Sequence, residues 1–414
     1  REASQLLETK GTETIPQALL YQGFSHMTRW QYSKAITYLR RYISAKPIDP
    51  YQKLIAKVNL CASYVFVGKH SSAQALLEKV LRTTERKNLS LLKGNSHELL
   101  AQVFFNQKKY PEARKQLELS YQSLKHSKTI GHFFVKKWRV LLELKTHKNP
   151  KDILPSLHAL RREATKMKHW ESVRDCDFYF LDITEDPQLF DYLYFGTPYQ
   201  DFRKRLHAAH PNHPSISPSY IWHPGQPKQK GSEYLDLKAG VDFGRHLDIK
   251  PAQLHHRLLM TLSQDFYRTF GVGNLFSFLY ENEFYNPITS PERVYKAIQR
   301  FRSWAESSST PLDIQENLGQ YRLRTTGAYG ILVEPNTRIY TQIEVQRHRL
   351  KHEWRNQAFT TRQAGLTLNL SASAVRELLK NLTRQGLLLT YGQGPRQKHT
   401  FSRATLVRLQ SQKI

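Results

Sequence analysis

Through most of the first 200 positions, apolar residues recur at intervals of three and four, the spacing that turns one face of an α-helix towards a core. Three segments align on one pattern: Tyr32-x-x-Ala35-x-x-x-Leu39, His70-x-x-Ala73-x-x-x-Leu77 and Tyr110-x-x-Ala113-x-x-x-Leu117, with the alanines 38 and 40 residues apart. Twelve positions before each alanine stands a small residue, Gly23, Cys61 or Ala101, suited to a close helix crossing. Nine before it, His26, Tyr64 or Phe104 can fill the space beside that crossing. Amphipathic pairs continue at 131–147 with 151–167 and at 169–184 with 187–195, which predicts an array of helical hairpins over residues 1–197. Between Pro198 and Gly231 the periodicity thins and Pro211, Pro214, Pro218, Pro224 and Pro227 intervene, so 198–232 reads as a linker.

Beyond it the pattern changes. Residues 234–250 show short strand-like alternation broken by Gly240 and Gly244. Pro251 then opens a helix with Leu254, Leu258, Leu259 and Leu262 on one face, and a second helix runs from Gly273 to Tyr280. Ser290-Pro291 supplies an N-cap and first-turn proline to a third, with Val294, Ile298, Phe301 and Ala305 inward, and two strands joined through Gly319 follow. The last stretch, 336–414, begins with a helix over Ile343–Gln357 and continues with a helix from Thr360, a turn at Asn369-Leu370 and a helix capped by Ser371. Val375, Leu378, Leu379 and Leu382 form the buried stripe of that helix, and Arg376, Lys380 and Arg384 recur every four residues on another face. Gly386 ends it before a hairpin of Leu387–Tyr391 with Gln397–Phe401.

The first pattern resembles the tetratricopeptide family over residues 15–125, although its spacing exceeds the usual repeat of about 34 residues and His70 stands where Tyr is expected. The resemblance implies an α-solenoid whose concave face holds a peptide or protein segment. A rigid spacer or a dimer surface is the plainer alternative. Residues 233–335 resemble the OmpR/PhoB-type winged helix of bacterial transcription regulators. The resemblance rests on the leading strands, Leu247-Asp-Ile-Lys-Pro-Ala-Gln-Leu-His-His-Arg-Leu-Leu, the helix from Val294 to Arg302, and Gly319-x-Tyr321-Arg322-Leu323. It implies a third helix in the major groove and a wing on the adjacent backbone, with Arg293, Lys296, Gln299 and Arg300 outward and Arg322 or Arg324 near the wing. Glu281, Glu283 and Glu292 make this module only weakly basic, which leaves protein binding open. Residues 336–414 resemble the generic bacterial winged helix-turn-helix, which implies Ser373, Arg376 and Lys380 on the recognition helix and Arg396, Lys398 and His399 on the wing. The expected fold class is therefore mainly α, an α-solenoid of helical hairpins followed by two α+β winged-helix domains.

Charge sharpens this picture. Lys and Arg outnumber Asp and Glu 62 to 35, a net +27, which favours a polyanion as partner. Residues 339–414 hold 13 basic and 3 acidic side chains, whereas 171–191 holds seven acids. A basic concentration of that kind suits phosphate contacts, because each neutralised phosphate releases condensed counterion. The two cysteines, Cys61 and Cys176, lack partners at metal-ligand spacing, and no run of apolar residues is long enough for a membrane span. The N-terminal residues lack a signal-peptide plan, and the chain opens at Arg1 rather than Met, which leaves room for a preceding segment. His207, His210 and His213 fall three apart, but Pro211 interrupts them and no further ligand follows. Neither a phosphate loop nor a nucleophile motif occurs; Gly271-Val-Gly273 reads as a turn, and Asp242, His246 and Asp248 as surface strand residues. These observations predict a cytoplasmic, nucleoid-associated regulator of double-stranded DNA with no enzymatic activity, metal or cofactor. The array would take a peptide or protein ligand, and the chain would act as a homodimer or with both winged helices on neighbouring half-sites. A PCI-type scaffold subunit and a tandem winged-helix replication initiator are the alternatives.

Overall fold

The computed structural model describes residues 15–127, 129–213, 216–225, 233–238, 240–243, 249, 253–281, 283–335, 341–394 and 397–401. Among these, helices dominate and the strands form three small sheets. No helix among the described residues is long and apolar enough to cross a membrane. The chain divides into two compact units: the first comprises residues up to Phe190 together with Tyr199–His213, the second Asp191–Pro198 together with Pro214 onwards. It therefore passes back and forth between them rather than once through a linker.

The first unit is built from α1 (Pro16–Thr28), α2 (Tyr32–Ser44), α3 (Pro50–Phe66), α4 (His70–Arg86), α5 (Ser90–Asn106), α6 (Tyr110–Leu124), α7 (Gly131–Thr146), α8 (Leu154–Lys166) and α9 (Trp170–Thr184). Five of the turns between them share one closure. Their middle residues, Trp30, Gly68, Asn88, Lys108 and Lys168, are left-handed, with φ between 51° and 76°. The next residue donates its N–H to a carbonyl five positions back, as Gln31 does to His26 and Lys109 to Phe104, each at 2.9 Å. That bond satisfies a carbonyl the helix end would otherwise orphan. Ala35, Ala73 and Ala113 are buried where the pattern placed them, and a Cβ added at Gly23 would fall 2.9 Å from the Leu39 side chain.

Four of the seven acids of the 171–191 stretch lie on α9, where each meets a cation of the first unit. Asp175 pairs with Lys137 at 2.9 Å, Asp177 with Arg161, and Asp182 with Lys145 at 2.7 Å. Glu171 accepts from Arg174 at 2.7 Å and from the Trp30 indole, 141 residues away, at 2.8 Å. A helix within the expected linker, α11 (Gln200–Ala209), completes this unit, following α10 (Pro187–Phe195). Its Phe202 and Leu206 are fully buried, which contributes roughly 1.5–3 kcal/mol each. Tyr199 and Phe202 flank both Trp30, at 6.2 and 5.0 Å between ring centroids, and the buried Arg174 guanidinium, at 5.1 and 5.9 Å. Arg205 stands 3.5 Å from Asp175 and 4.4 Å over the Phe178 ring. Burial alone would raise the Asp175 carboxyl, but Lys137 and Arg205 outweigh it and hold it below the ordinary range.

The second unit repeats one order of elements. After β1 (Tyr220–Trp222), β2 (Tyr234–Asp236) and β3 (Val241–Phe243) come α12 (Leu254–Leu262), β4 (Phe270–Gly271), α13 (Val272–Leu279), α14 (Ser290–Ser307), β5 (Leu312–Asn317), β6 (Gln320–Thr325) and β7 (Gly330–Val333). Then follow α15 (Gln342–Trp354), β8 (Phe359–Thr360), α16 (Thr361–Leu368), α17 (Ala372–Arg384), β9 (Leu389–Tyr391) and β10 (Lys398–Thr400). Helix, strand, helix, helix, hairpin thus occurs twice, and both three-stranded sheets place the hairpin's second strand in the middle, as β4-β6-β5 and β8-β10-β9. The remaining strands form a sheet in the order β1-β7-β2-β3. Strand β1, also within the expected linker, pairs antiparallel with β7, and its Trp222 stacks on Phe266 at 4.1 Å. Phe195, Trp222 and Phe301 belong to one core with Leu258, Leu275 and Phe276.

Two outcomes follow. A fragment starting at 233 omits Phe195, β1 and Trp222, so it should unfold at lower denaturant than a fragment starting at 191, measured by urea titration. In the first unit, burial raises the Glu98 carboxyl to about 7, against partial relief from Gln102, 2.7 Å away, and from Lys137. Because the folded value lies above the ordinary one, stability is full in acid and falls as pH rises from about 4.5 to about 7. Glu98→Gln should abolish that fall, a gain on the order of 3 kcal/mol at pH 8 by chemical denaturation.

Candidate nucleic-acid interface

Helix α14 is seated by Val294, Ala297, Ile298, Phe301 and Ala305, all buried. Its N-cap is Thr289 rather than Ser290; Ser290 lies inside the helix, and its hydroxyl accepts from the Asn286 N–H at 2.8 Å. The hairpin β5–β6 is fixed to α14 by Arg302, which donates to the Ile314 carbonyl and stands 3.6 Å from Asp313. Lys296, Gln299 and Arg300 are exposed on α14, and Arg322 and Arg324 on β6. Three cations of α14 and β6 are engaged within the module. Arg293 is half-buried, with its guanidinium 3.9 Å over the Tyr280 ring and both ends donating to Glu283. That hydrogen bonding holds the Glu283 carboxyl below its ordinary value. Lys296 pairs with Glu292 at 2.7 Å, and Arg322 donates to the Gln315 side chain at 2.7 and 2.9 Å.

The second repeat of the order is more open. Val375, Leu378, Leu379 and Leu382 bury one side of α17 in a core with Leu350, Phe359, Ala364 and Leu388. Ser371 caps the helix by accepting from the Ala374 N–H, and left-handed Asn369 makes the turn after α16, as the sequence predicted. Ser373, Arg376, Lys380 and Arg384 are exposed on the opposite side, with Glu377 the one acid of that helix. Lys398 is exposed on the hairpin, and Arg396 lies outside the described residues.

His399 departs from expectation. It is buried rather than displayed on the wing, with its ring nitrogens 3.3 Å from the Thr361 hydroxyl and 3.0 Å from the Thr390 hydroxyl. Lys398 and His399 take opposite faces of β10, and both His399 and the next residue, Thr400, are buried while Lys398 is exposed. His399 therefore pins the hairpin to the start of α16. Elsewhere, His207 is exposed, His210 stands 3.4 Å from Asp182 and His213 stacks on Phe190 at 3.6 Å. Among the described residues, no group of three or more His, Cys, Asp or Glu is placed to hold a metal ion. Cys61 and Cys176 are buried thiols, each pushed up to about 12 by that burial. Gly271 and Gly273 stand at the junction of β4 and α13, and His246 and Asp248 lie outside the described residues.

Sequence reasoning missed the positioning roles of Arg302 and Glu283. The acid's signal was present, ten residues before Arg293 and just after the aromatic Tyr280. Burial holds the His399 imidazole below its ordinary value, so the neutral ring is the folded form, and its contribution is lost as pH falls below about 6.5. His399→Ala should cost about 1–3 kcal/mol at pH 8 by emptying a buried ring site and removing the bonds to Thr361 and Thr390, the latter keeping Thr383 at 3.0 Å, and less at pH 5, read by denaturation at both.

No protein-family model matches the chain, and no curated protein matches it in sequence.

Proposed function

We propose that the protein is a DNA-binding transcription regulator in which the two repeats of helix, strand, helix, helix and hairpin are winged helices. In this reading α17 enters a major groove and the β9–β10 hairpin lies on the neighbouring phosphate backbone. The observation that carries it is the row of Arg376, Lys380 and Arg384 on the exposed side of a helix whose other side is the core. A guanidinium so placed can address a guanine edge bidentately, while Lys398 on the hairpin suits phosphate as a point charge. Helix α14 with Gln299 and Arg300 is the corresponding element of the first module. The helices of the first unit form a tetratricopeptide-like array that receives a protein partner or signal, with α11 already seated against α9.

A protein-docking role for α14 is the second reading, favoured by the engagement of Arg293 with Glu283 and of Lys296 with Glu292. DNA contact by Arg293 requires its release from both Glu283 and the Tyr280 ring.

Selection of bound duplexes from a random library, followed by anisotropy titration at several salt concentrations, tests the reading. Arg376→Ala should cost about 1–3 kcal/mol and relax preference at one base position. Lys398→Ala should weaken all duplexes alike and reduce the salt slope by about one. If neither substitution changes affinity, α17 and its hairpin are not the DNA-contacting elements. Loss confined to Gln299→Ala and Arg300→Ala would place the contact on α14 instead.

A further inference from the structure

The two modules of the second unit meet at α15, the first helix of the second module. Val345 of α15 is fully buried and belongs to the core of the first module, whereas Leu350 is fully buried in the core of the second. Five residues separate them, which in an α-helix is a rise of about 7.5 Å and a turn of about 140° around the axis. The two cores therefore grip nearly opposite sides of one short helix.

Other contacts lock each end. On the first module, His348 of α15 stands 3.5 Å from Asp236 at the end of β2. Asp236 is itself buried and accepts the backbone N–H of Lys238 at 2.8 Å. Gly240 lets the chain pass this point: its φ is +65°, and a Cβ there would fall 2.8 Å from the Ile249 carbonyl and 4.0 Å from Val345. On the second module, Arg349 donates to the Thr367 carbonyl at 3.3 Å and the Trp354 indole to the Thr367 hydroxyl at 3.2 Å. Helix α15 starts in a capping box, with the Thr341 hydroxyl accepting from the Glu344 N–H and Glu344 accepting from the Thr341 N–H, so its first turn is closed as well.

We infer that the two modules act as one rigid reader, and that the DNA they take is a bipartite duplex whose two half-sites lie at a single fixed separation. This rests on the DNA-binding reading above and goes further than it. Two modules on a slack tether would accept many separations, because a flexible link changes only the effective concentration of the second contact. Modules that share a helix present α14 and α17 in one relation and accept only the spacing that matches it.

Two measurements on the full chain separate the rigid joint from the DNA reading. The first places spin labels on Ser303→Cys and Gln385→Cys, both exposed positions, while native Cys61 and Cys176 stay buried. A single narrow distance distribution is expected, broadening when Val345→Asp is added; a broad distribution in the chain without that substitution overturns the rigid joint. The second selects duplexes from a random library and then inserts 3, 5 and 10 base pairs between the two enriched half-sites. Each insertion should weaken binding at least tenfold, including the insertion of about a full helical turn, which restores the face but not the separation. Unchanged affinity, or recovery at the full turn, overturns the fixed spacing. If the distance distribution is narrow but no duplex is enriched, the DNA reading fails while the joint stands.

Discussion

One helix that serves two cores sets the geometry of the second unit. Because Val345 is buried in the first core and Leu350 in the second, α15 cannot shift along its axis without exposing one of them. Exposing a side chain of that size forfeits roughly 1.5–3 kcal/mol, a large share of the margin by which a domain is stable. The polar contacts then fix rotation: His348 faces Asp236 on one module and Arg349 faces Thr367 on the other. Everything the exposed cations of α14 and α17 can do together depends on that arrangement.

The net charge of +27 does not act uniformly. On α9 the acids are spent inside the first unit on Lys137, Lys145, Arg161, Arg174 and Arg205. Removing one partner of the buried pairs there leaves the other uncompensated, which is the costly direction. On α14 the pairs are exposed, and exposed pairs contribute little, about 0–1 kcal/mol. Lys296 can therefore exchange Glu292 for a phosphate with small loss. Arg293 is different, since leaving Glu283 also means leaving the face of Tyr280. Among the candidate elements, α17 combines several exposed cations with one acid, so it carries the least internal competition for an anion.

How much of this was legible in the sequence follows from the length over which each pattern repeats. The helical stripes were: Ala35, Leu39, Ala73, Leu77, Ala113 and Leu117 are buried as a spacing of three and four requires, and so are Val375, Leu379 and Leu382. Turn residues were legible only in part. Asn369 is a residue type that tolerates left-handed φ, but Trp30, Lys108 and Lys168 take the same conformation with no such mark. Between Pro198 and Gly225 the prolines dominate the pattern, yet this stretch holds a helix, Gln200–Ala209, and a strand, Tyr220–Trp222, both short. Strand β1 is three residues long and pairs with β7 more than a hundred positions later, so no local period announces it. Helix α11 did carry a signal in Tyr199, Phe202 and Leu206 at helical spacing. What the sequence alone could not supply was the partner surface, where Trp30 from the first turn and Arg174 from α9 close around those rings.

His399 shows the opposite failure, since the information was present and outweighed. Once Gln397–Phe401 is taken as a strand, period two places Lys398 and His399 on opposite faces, so the two cannot share one outward face of the hairpin. Reading both as wing contacts followed charge rather than geometry. With the imidazole between Thr361 and Thr390, the hairpin is held by neutral hydrogen bonds, and Lys398 is left exposed. The same strand thus divides two tasks between neighbouring residues, one fixing the hairpin and the other leaving a cation exposed on it.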